Sequence, residues 1–425
     1  MGLKEILNTE IKHDSKVLES KRKEARAAFE QTGFPTKNHE EWRFTNVSTI
    51  VNTPFKIDNE TKVNKSAVEK LDEYGFDANI VVVYNGRIIK ELSKIQEKND
   101  KVFIGSFADA IASGHEKVFD EHFCKYANNR TDGFTALNTS MIKSGLLIYV
   151  SKNSTLEKPV MIINFIEESD KDVFANHRNL IVVESGGKAD VSEVFYASGK
   201  RSSFSNYVAE IYLGENAELH HNKIQNEGTE AYHVGTTQVE QKNHSRFYSM
   251  VISWGGSLLR NNLNSVINGE GIDCYFRGLY LVKGKQLIDN HTLADHAKPN
   301  SHSNEFYKGL LDEEGTGVFN GKIMVRQDAQ KTNAYQTNTN ILLSNDATIN
   351  SKPQLEIFAD DVKCSHGATT GQINPDEVFY LRSRGISETE AKKLLLSAYA
   401  HEIIDEVANE ELKKLLIKRL DKKLG

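Results

Sequence analysis

GGKADV (Gly186 to Val191), GENAEL (Gly214 to Leu219), KNHSRF (Lys242 to Phe247) and GEGIDC (Gly269 to Cys274) share one pattern, a small turn ahead of alternating residues. With Ala189, Ala217, Ser245 and Ile272 as equivalent points, the separations are 28, 28 and 27 residues. GTGVFN (Gly315 to Asn320) and NDATIN (Asn345 to Asn350) continue the pattern with less regular spacing. A unit of this length without helices is the sequence form of a β-solenoid, in which each coil buries its apolar face only by stacking on the next. The competing architecture is a β-sandwich, but its turns recur roughly every 8 to 12 residues.

Working outward from these turns, short strands rich in Val, Ile, Tyr, Phe and Thr run from about residue 136 to residue 373. On the N-terminal side, Leu3 to about Gln31 has helical spacing and stops at Gly33 and Pro35. Asn79 to Lys90 reads as a hairpin turning at Asn85-Gly86, Ala108 to Tyr126 as helix, and Phe134 to Met141 leads into the strand GLLIYV. On the C-terminal side, Asn374 caps a helix with Pro375 at its first position, and Gly385 ends it. Ser387 to Glu390 is a capping box for a second helix, in which Ala391, Leu394, Leu395, Ala398, Ile403 and Ile404 can form an apolar stripe. Glu410 to Leu424 is a third. The expected fold is mainly β: an N-terminal mainly helical domain with a hairpin (1–135), a β-helix core (136–373) and a C-terminal helical domain (374–425). The last helices either cap the solenoid end or present a docking face.

A length of 425 residues with 39% hydrophobic and 26% charged residues allows a large core, and a net charge of -6 argues against a nucleic-acid partner. Leu146 to Val150, as long as any purely apolar run in the chain, is far too short to span a bilayer. No secretory signal is visible at the N-terminus, so a cytoplasmic location is expected. Three widely separated cysteines, Cys124, Cys274 and Cys364, fit a reducing compartment rather than a disulfide framework.

The chain's most distinctive chemistry lies in Pro353 to Gly371, PQLEIFADDVKCSHGATTG, which reads as strand. Alternation puts Cys364 and His366 on one face, where a thiol and an imidazole can grip a soft metal together. They are two ligands where a closed tetrahedral site needs four. The plain alternative is a buried cysteine beside a hydrogen-bonded histidine. His291, His296 and His302 form a second candidate metal set, His220 and His221 face opposite sides of any strand, and His39, Glu40 and Glu41 beside Trp42 read as a solvated face with an aromatic anchor. There is no P-loop, no strand-linked dinucleotide fingerprint, no G-x-S-x-G and no H-E-x-x-H.

NHEEWRFT, DNHTLADHAKPNSHSNEFYKG (Asp289 to Gly309), KPQLEIFADDVKCSHGATTGQI and FYLRSRGIS together resemble the SufB and SufD proteins of the Suf iron-sulphur cluster assembly system, the SufD branch in particular. The resemblance spans about residues 35 to 405. It implies a right-handed parallel β-helix between helical domains and a non-enzymatic role. It also implies pairing with a SufB-like scaffold and binding of a SufC-like ATPase through the helices from about Asp376 to Val407. By the same resemblance His366, with Cys364 as the weaker candidate, contributes to a nascent iron-sulphur cluster shared with the partner chain and not stably held by the isolated chain. WGGSLLR, with Ser257, has no thiol where SufB-like chains carry a functional cysteine, which favours the SufD branch. The isolated chain is also open to homodimer formation through solenoid edges. Two other readings stand beside this one: a β-helix carbohydrate-active enzyme using Asp360 and Asp361, and a SufB-type scaffold holding a cluster through Cys124, Cys274 and Cys364.

Overall fold

In six successive coils one turn residue takes the left-handed conformation, and the sequence supplies residues that tolerate it. Gly186, Asn216, His244, Gly271, Asn300 and Lys331 have φ between 58° and 70°. The turns stack through backbone bonds such as Gly186 N–H to the Glu215 carbonyl (2.8 Å) and Asn216 N–H to the Asn243 carbonyl (2.9 Å). The computed structural model describes residues 2–425 other than 10, 12–15, 58–62, 64, 98, 168–170 and 200.

Among the described residues the strands form two sheets, of eleven and ten strands, that face each other across a solenoid of about eight coils. The ten-stranded sheet stacks Val160–Glu167, Lys188–Ser198, Glu218–Gln225, Arg246–Ser253, Asp273–Val282, His302–Leu311, Asn333–Leu342 and Lys363–Gly371 in that order. The other stacks Leu146–Val150, Val173–Val183, Ser203–Leu213, Ala231–Gln241, Leu258–Ile267, Leu287–His296 and Thr316–Val325, then the short Thr348–Ser351 and Gln354–Ile357. Pairing within the coils is parallel. Inward positions such as Val191, Leu219, Ile181, Ile211 and Ile288 are sealed from solvent. Each such side chain contributes about 1.5–3 kcal/mol relative to exposure.

The register confirms the solenoid and corrects the repeat. Glu218 pairs with Arg246 and Arg246 with Asp273, so the 28- and 27-residue spacings hold to the residue. Ala189, however, lies opposite Leu219, two residues past Ala217. Lys188–Ser198 is an eleven-residue strand where Glu218–Gln225 has eight, and its shorter corner recovers only part of the difference. GTGVFN and NDATIN lead into Thr316–Val325 and Thr348–Ser351 of the eleven-stranded sheet, so they mark the opposite corner rather than continuing the first series. Small polar turns occur at both corners because the chain reverses at both.

Helices cover the outer faces. From the N-terminal part, Leu3, Phe29, Trp42, Ile50, Phe55 and Phe134 pack on Phe174, Phe204 and Val234 of the eleven-stranded sheet. The expected first helix is two pieces, the 3₁₀ turn Leu3–Asn8 and the helix Lys16–Thr32, while residues 10 and 12–15 between them lie outside the described residues. Ala108 to Tyr126 is likewise two short helices, Phe107–Ala112 and Glu116–His122, separated at Gly114, whose φ of 88° ends a right-handed turn. The hairpin forms as expected, with Val83 opposite Ile88 across Asn85-Gly86.

At the C-terminus, Pro375–Ser383, Glu388–Ile404 and Glu410–Leu424 form three helices with Asn374, Ser387 and Asn409 as side-chain caps. The buried stripe of the second is Ala391, Leu396, Ala400, Ile403 and Ile404, while Leu394 faces solvent. Ile403, Ile404, Val407, Leu412, Leu416 and Leu420 pack on Met161, Ile163, Ile252 and Trp254. The last two helices therefore lie along the outer face of the ten-stranded sheet and do not cap its end. No helix among the described residues is long and apolar enough to cross a membrane.

Candidate functional site

Pro353 to Gly371 is not one strand. It turns a corner between Gln354–Ile357, in one sheet, and Lys363–Gly371, in the other. Asp360 and Asp361 lie in that corner, exposed and outside both strands. Lys363–Gly371 is the terminal strand of its sheet, paired on one side only with Asn333–Leu342. Its outer row of backbone N–H and C=O groups is an open sheet edge. Every residue of the strand is exposed except Cys364, which is half-buried.

Cys364 and His366 stand opposite Ala334 and Gln336, both buried, so the two side chains belong to the inward-facing rows where those rows reach the open end. Cys364 rests on Ile323, Val325, Ala334 and Ala359. Partial burial pushes its thiol up, against a smaller opposing effect of the Ala334 backbone, so the chain alone favours the protonated, non-ligating form. His366 is exposed, and its imidazole makes no hydrogen bond within the chain.

Behind His366 the row continues through Gln336 to Glu305. Glu305 is fully enclosed; Thr292 Oγ1 and Gln336 Nε2 donate to its Oε2 at 2.5 and 3.1 Å, and its Oε1 and Gln336 Oε1 have no partner. Burial raises the Glu305 carboxyl to about 7. An unfolded chain ionises this group near its ordinary value, so its contribution to stability is greatest at acid pH. That contribution falls as pH rises toward 7, by roughly 3 kcal/mol in all. Glu305→Gln should flatten this slope. Melting temperatures at pH 5 and pH 8 should show the variant gaining on wild type only at the higher pH, and an equal change at both would refute the assignment.

The other candidates do not converge. His291 lies on the outer face of the eleven-stranded sheet, 3.3 Å from Glu41 and 3.0 Å from Asp289. His296 points inward onto Ser303 (2.8 Å), and His302 is on the other sheet beside Tyr275. His220 stacks on Tyr248 outside while His221 meets Glu193 (2.9 Å) inside. Cys274 and Cys364 share a row three strands apart, roughly 14 Å at ordinary strand spacing. Cys124 belongs to the N-terminal part, where burial pushes its thiol up to about 12. Among the described residues no three His, Cys, Asp or Glu side chains are placed to hold a metal ion. Sequence reasoning missed the Gln336–Glu305 row and the Glu41–His291 pair, because both depend on register between segments far apart in the chain.

Comparison with known proteins agrees with this architecture. The family model described as SUF system FeS cluster assembly, SufBD core domain, matches residues 165–399, and that described as SufBD protein N-terminal region matches residues 4–162. An iron-sulfur cluster assembly SufBD family protein of Synechocystis is 32% identical over 405 residues, covering 93% of this chain and 88% of the relative. The iron-sulfur cluster assembly protein SufD of Escherichia coli is 29% identical over 398 residues, covering 93% and 90%. The protein SufD of Bacillus subtilis is 25% identical over 394 residues, covering 90% and 88%. With both halves matched and the solenoid built as described, the chain belongs to the SufBD family of iron-sulphur cluster assembly proteins.

Proposed function

We propose that this chain is the SufD-like subunit of a cytoplasmic cluster-assembly complex, a non-enzymatic protein that pairs with a SufB-like scaffold and a SufC-like ATPase. The observation that carries the reading is the terminal strand Lys363–Gly371, an uncovered sheet edge that presents His366, with Cys364 beside it, at the open end of the solenoid. Two ligands on an edge suit a cluster completed by a second chain, and imidazole and thiolate both suit iron. Docking of a partner would also cover Tyr335, Ile357 and Phe358, the last 63% exposed, which belong to the final strands and corner of the same end. Burial by a partner alone would raise the Cys364 thiol further, so its use as a ligand requires the metal's own charge.

The ATPase contact falls on the helix Pro375–Ser383, where Phe379 and Tyr380 are 72% and 57% exposed. Large aromatics on an uncovered helix are characteristic binding anchors. Phe379→Ala with Tyr380→Ala should weaken ATPase capture at least about tenfold while scaffold capture is retained. Co-purification from cells expressing all three chains measures both. Equal capture of the ATPase by wild type and variant would remove this helix from the interface.

The reading as a whole is tested by purifying the tagged chain from its native lysate and identifying stoichiometric partners by mass spectrometry. Recovery of a P-loop ATPase together with a SufB-like homologue is expected. Recovery of the chain alone at mild salt would overturn the complex.

A further inference from the structure

Away from the solenoid end, a cleft of about 550 Å³ opens between the N-terminal segments and the outer face of the eleven-stranded sheet. Its floor is two adjacent outward rows of that sheet. One row aligns Thr236, Asn262, His291 and Asn320; the next aligns Gln238, Asn264, Leu293 and Lys322. Neighbours in a row stand about 4.8 Å apart. Glu41 and Trp42 form one wall and Asp132 the other.

The charged groups of the cleft already have partners. Glu41 meets His291 at 3.3 Å and Lys322 at 3.8 Å and accepts from Asn320 Nδ2 at 3.2 Å; Lys322 also reaches Glu356 at 3.1 Å. Arg260 is paired with Asp289 at 2.6 Å, and Asp132 accepts the Phe134 N–H at the start of a helix. Among the half-buried polar side chains of the cleft, two remain unspent. Gln238 and Asn264, side by side on neighbouring strands and half-buried, make no side-chain hydrogen bond within the chain. Each carboxamide offers a donor and an acceptor in one plane, which suits two adjacent hydroxyl groups, since each hydroxyl can both donate and accept. Leu293 beside them supplies an apolar floor for the C–H face of such a ligand.

We propose that this cleft binds a neutral polyol, a sugar or the ribose of a nucleoside, held by Gln238 and Asn264 through vicinal hydroxyls. An anionic ligand would meet Glu41 and Asp132, and a cationic one Arg260 and Lys322, so neutrality is what the lining selects. Glu41 in its wall is held at about 2, chiefly by the His291 hydrogen bond, so it is ionised and has no proton to give a leaving oxygen. Occupancy bridges residues 39–42 to the coils, a role separate from the cluster chemistry at the solenoid end.

Saturation-transfer NMR on the full chain, with maltotriose and adenosine as separate probes, tests this directly. Transfer to maltotriose identifies a saccharide and transfer to adenosine a nucleoside; either signal should vanish in the Gln238→Ala/Asn264→Ala variant and survive in His366→Ala. The conservative Asn264→Asp, which removes the donor but keeps the shape, should weaken binding at least about tenfold, guarding against a folding defect in the double variant. Transfer to neither probe, or undiminished transfer in variants that keep the wild-type melting curve, would overturn the proposal. Loss of cluster assembly in His366→Ala with these signals intact would show that the two sites stand or fall separately.

Discussion

His366→Ala should lower the rate of cluster formation on the assembled complex by about 10- to 100-fold, the range over which a lost ligand or its supporting partner acts. The same change should leave the isolated chain's stability within about 0.5 kcal/mol of wild type. The imidazole is exposed on the terminal strand and makes no hydrogen bond within the chain, so its removal leaves neither a cavity nor an orphaned partner. Capture of both partners should persist, because the backbone edge and the apolar corner are unchanged. That separation of chemistry from docking is the decisive readout. Cluster formation at the wild-type rate, with partner capture intact, would remove His366 from the site. Cys364→Ser should have the smaller effect, since the thiol is half-buried against Val325 and Ala334 and is already biased toward its protonated form.

Glu210→Ala should destabilise the chain by about 3–5 kcal/mol, the cost of breaking a buried ion pair from one side. Glu210 and Arg178 are both fully enclosed and lie 2.5 Å apart. The carboxylate also accepts the backbone N–H groups of Cys124 (2.8 Å), Tyr126 (2.7 Å) and Ala127 (2.9 Å), and so ties the loop after the helix Glu116–His122 to the solenoid wall. Truncation orphans three donors and leaves a guanidinium buried over the Phe123 ring with its main partner gone. The midpoint of urea denaturation measures the loss. Glu210→Gln keeps an acceptor for the loop and should cost less. Adding Arg178→Ala to Glu210→Ala should cost little more, because the charge left unpaired is then removed. A Glu210→Ala midpoint within experimental error of wild type would show that the loop is held by other contacts.

Much of the architecture is legible in the sequence. The turns around Gly186, Asn216, His244 and Gly271 carry residues that accept a left-handed backbone, and that requirement is local, so it appears in the sequence wherever a coil turns. Alternation likewise placed Cys364 and His366 on one face. Coil length is not local: a strand three residues longer is partly offset at its corner, so turn spacing alone puts Ala189 two residues out of register. The corner at Asp360 and Asp361 was hidden because both sheets draw on the same residue types.

What the chain's amino acids determined unaided is therefore the class of the fold and the two side chains worth testing, since turn chemistry and face alternation act within a few residues. Resemblance in long motifs supplied the family, which the family comparisons then bore out. Tertiary structure alone decided that the C-terminal helices run along a sheet face, through Ile403, Leu412 and Leu416, and leave the last strand open. An amphipathic helix caps an end or covers a face with the same apolar stripe, and only the shape of the available surface chooses between them. It also decided that Glu305 and Gln336 line up behind His366, and that Glu41 meets His291 across some 250 residues of chain. Such pairs are set by the summed lengths of every coil between them, a quantity that no single stretch of sequence records.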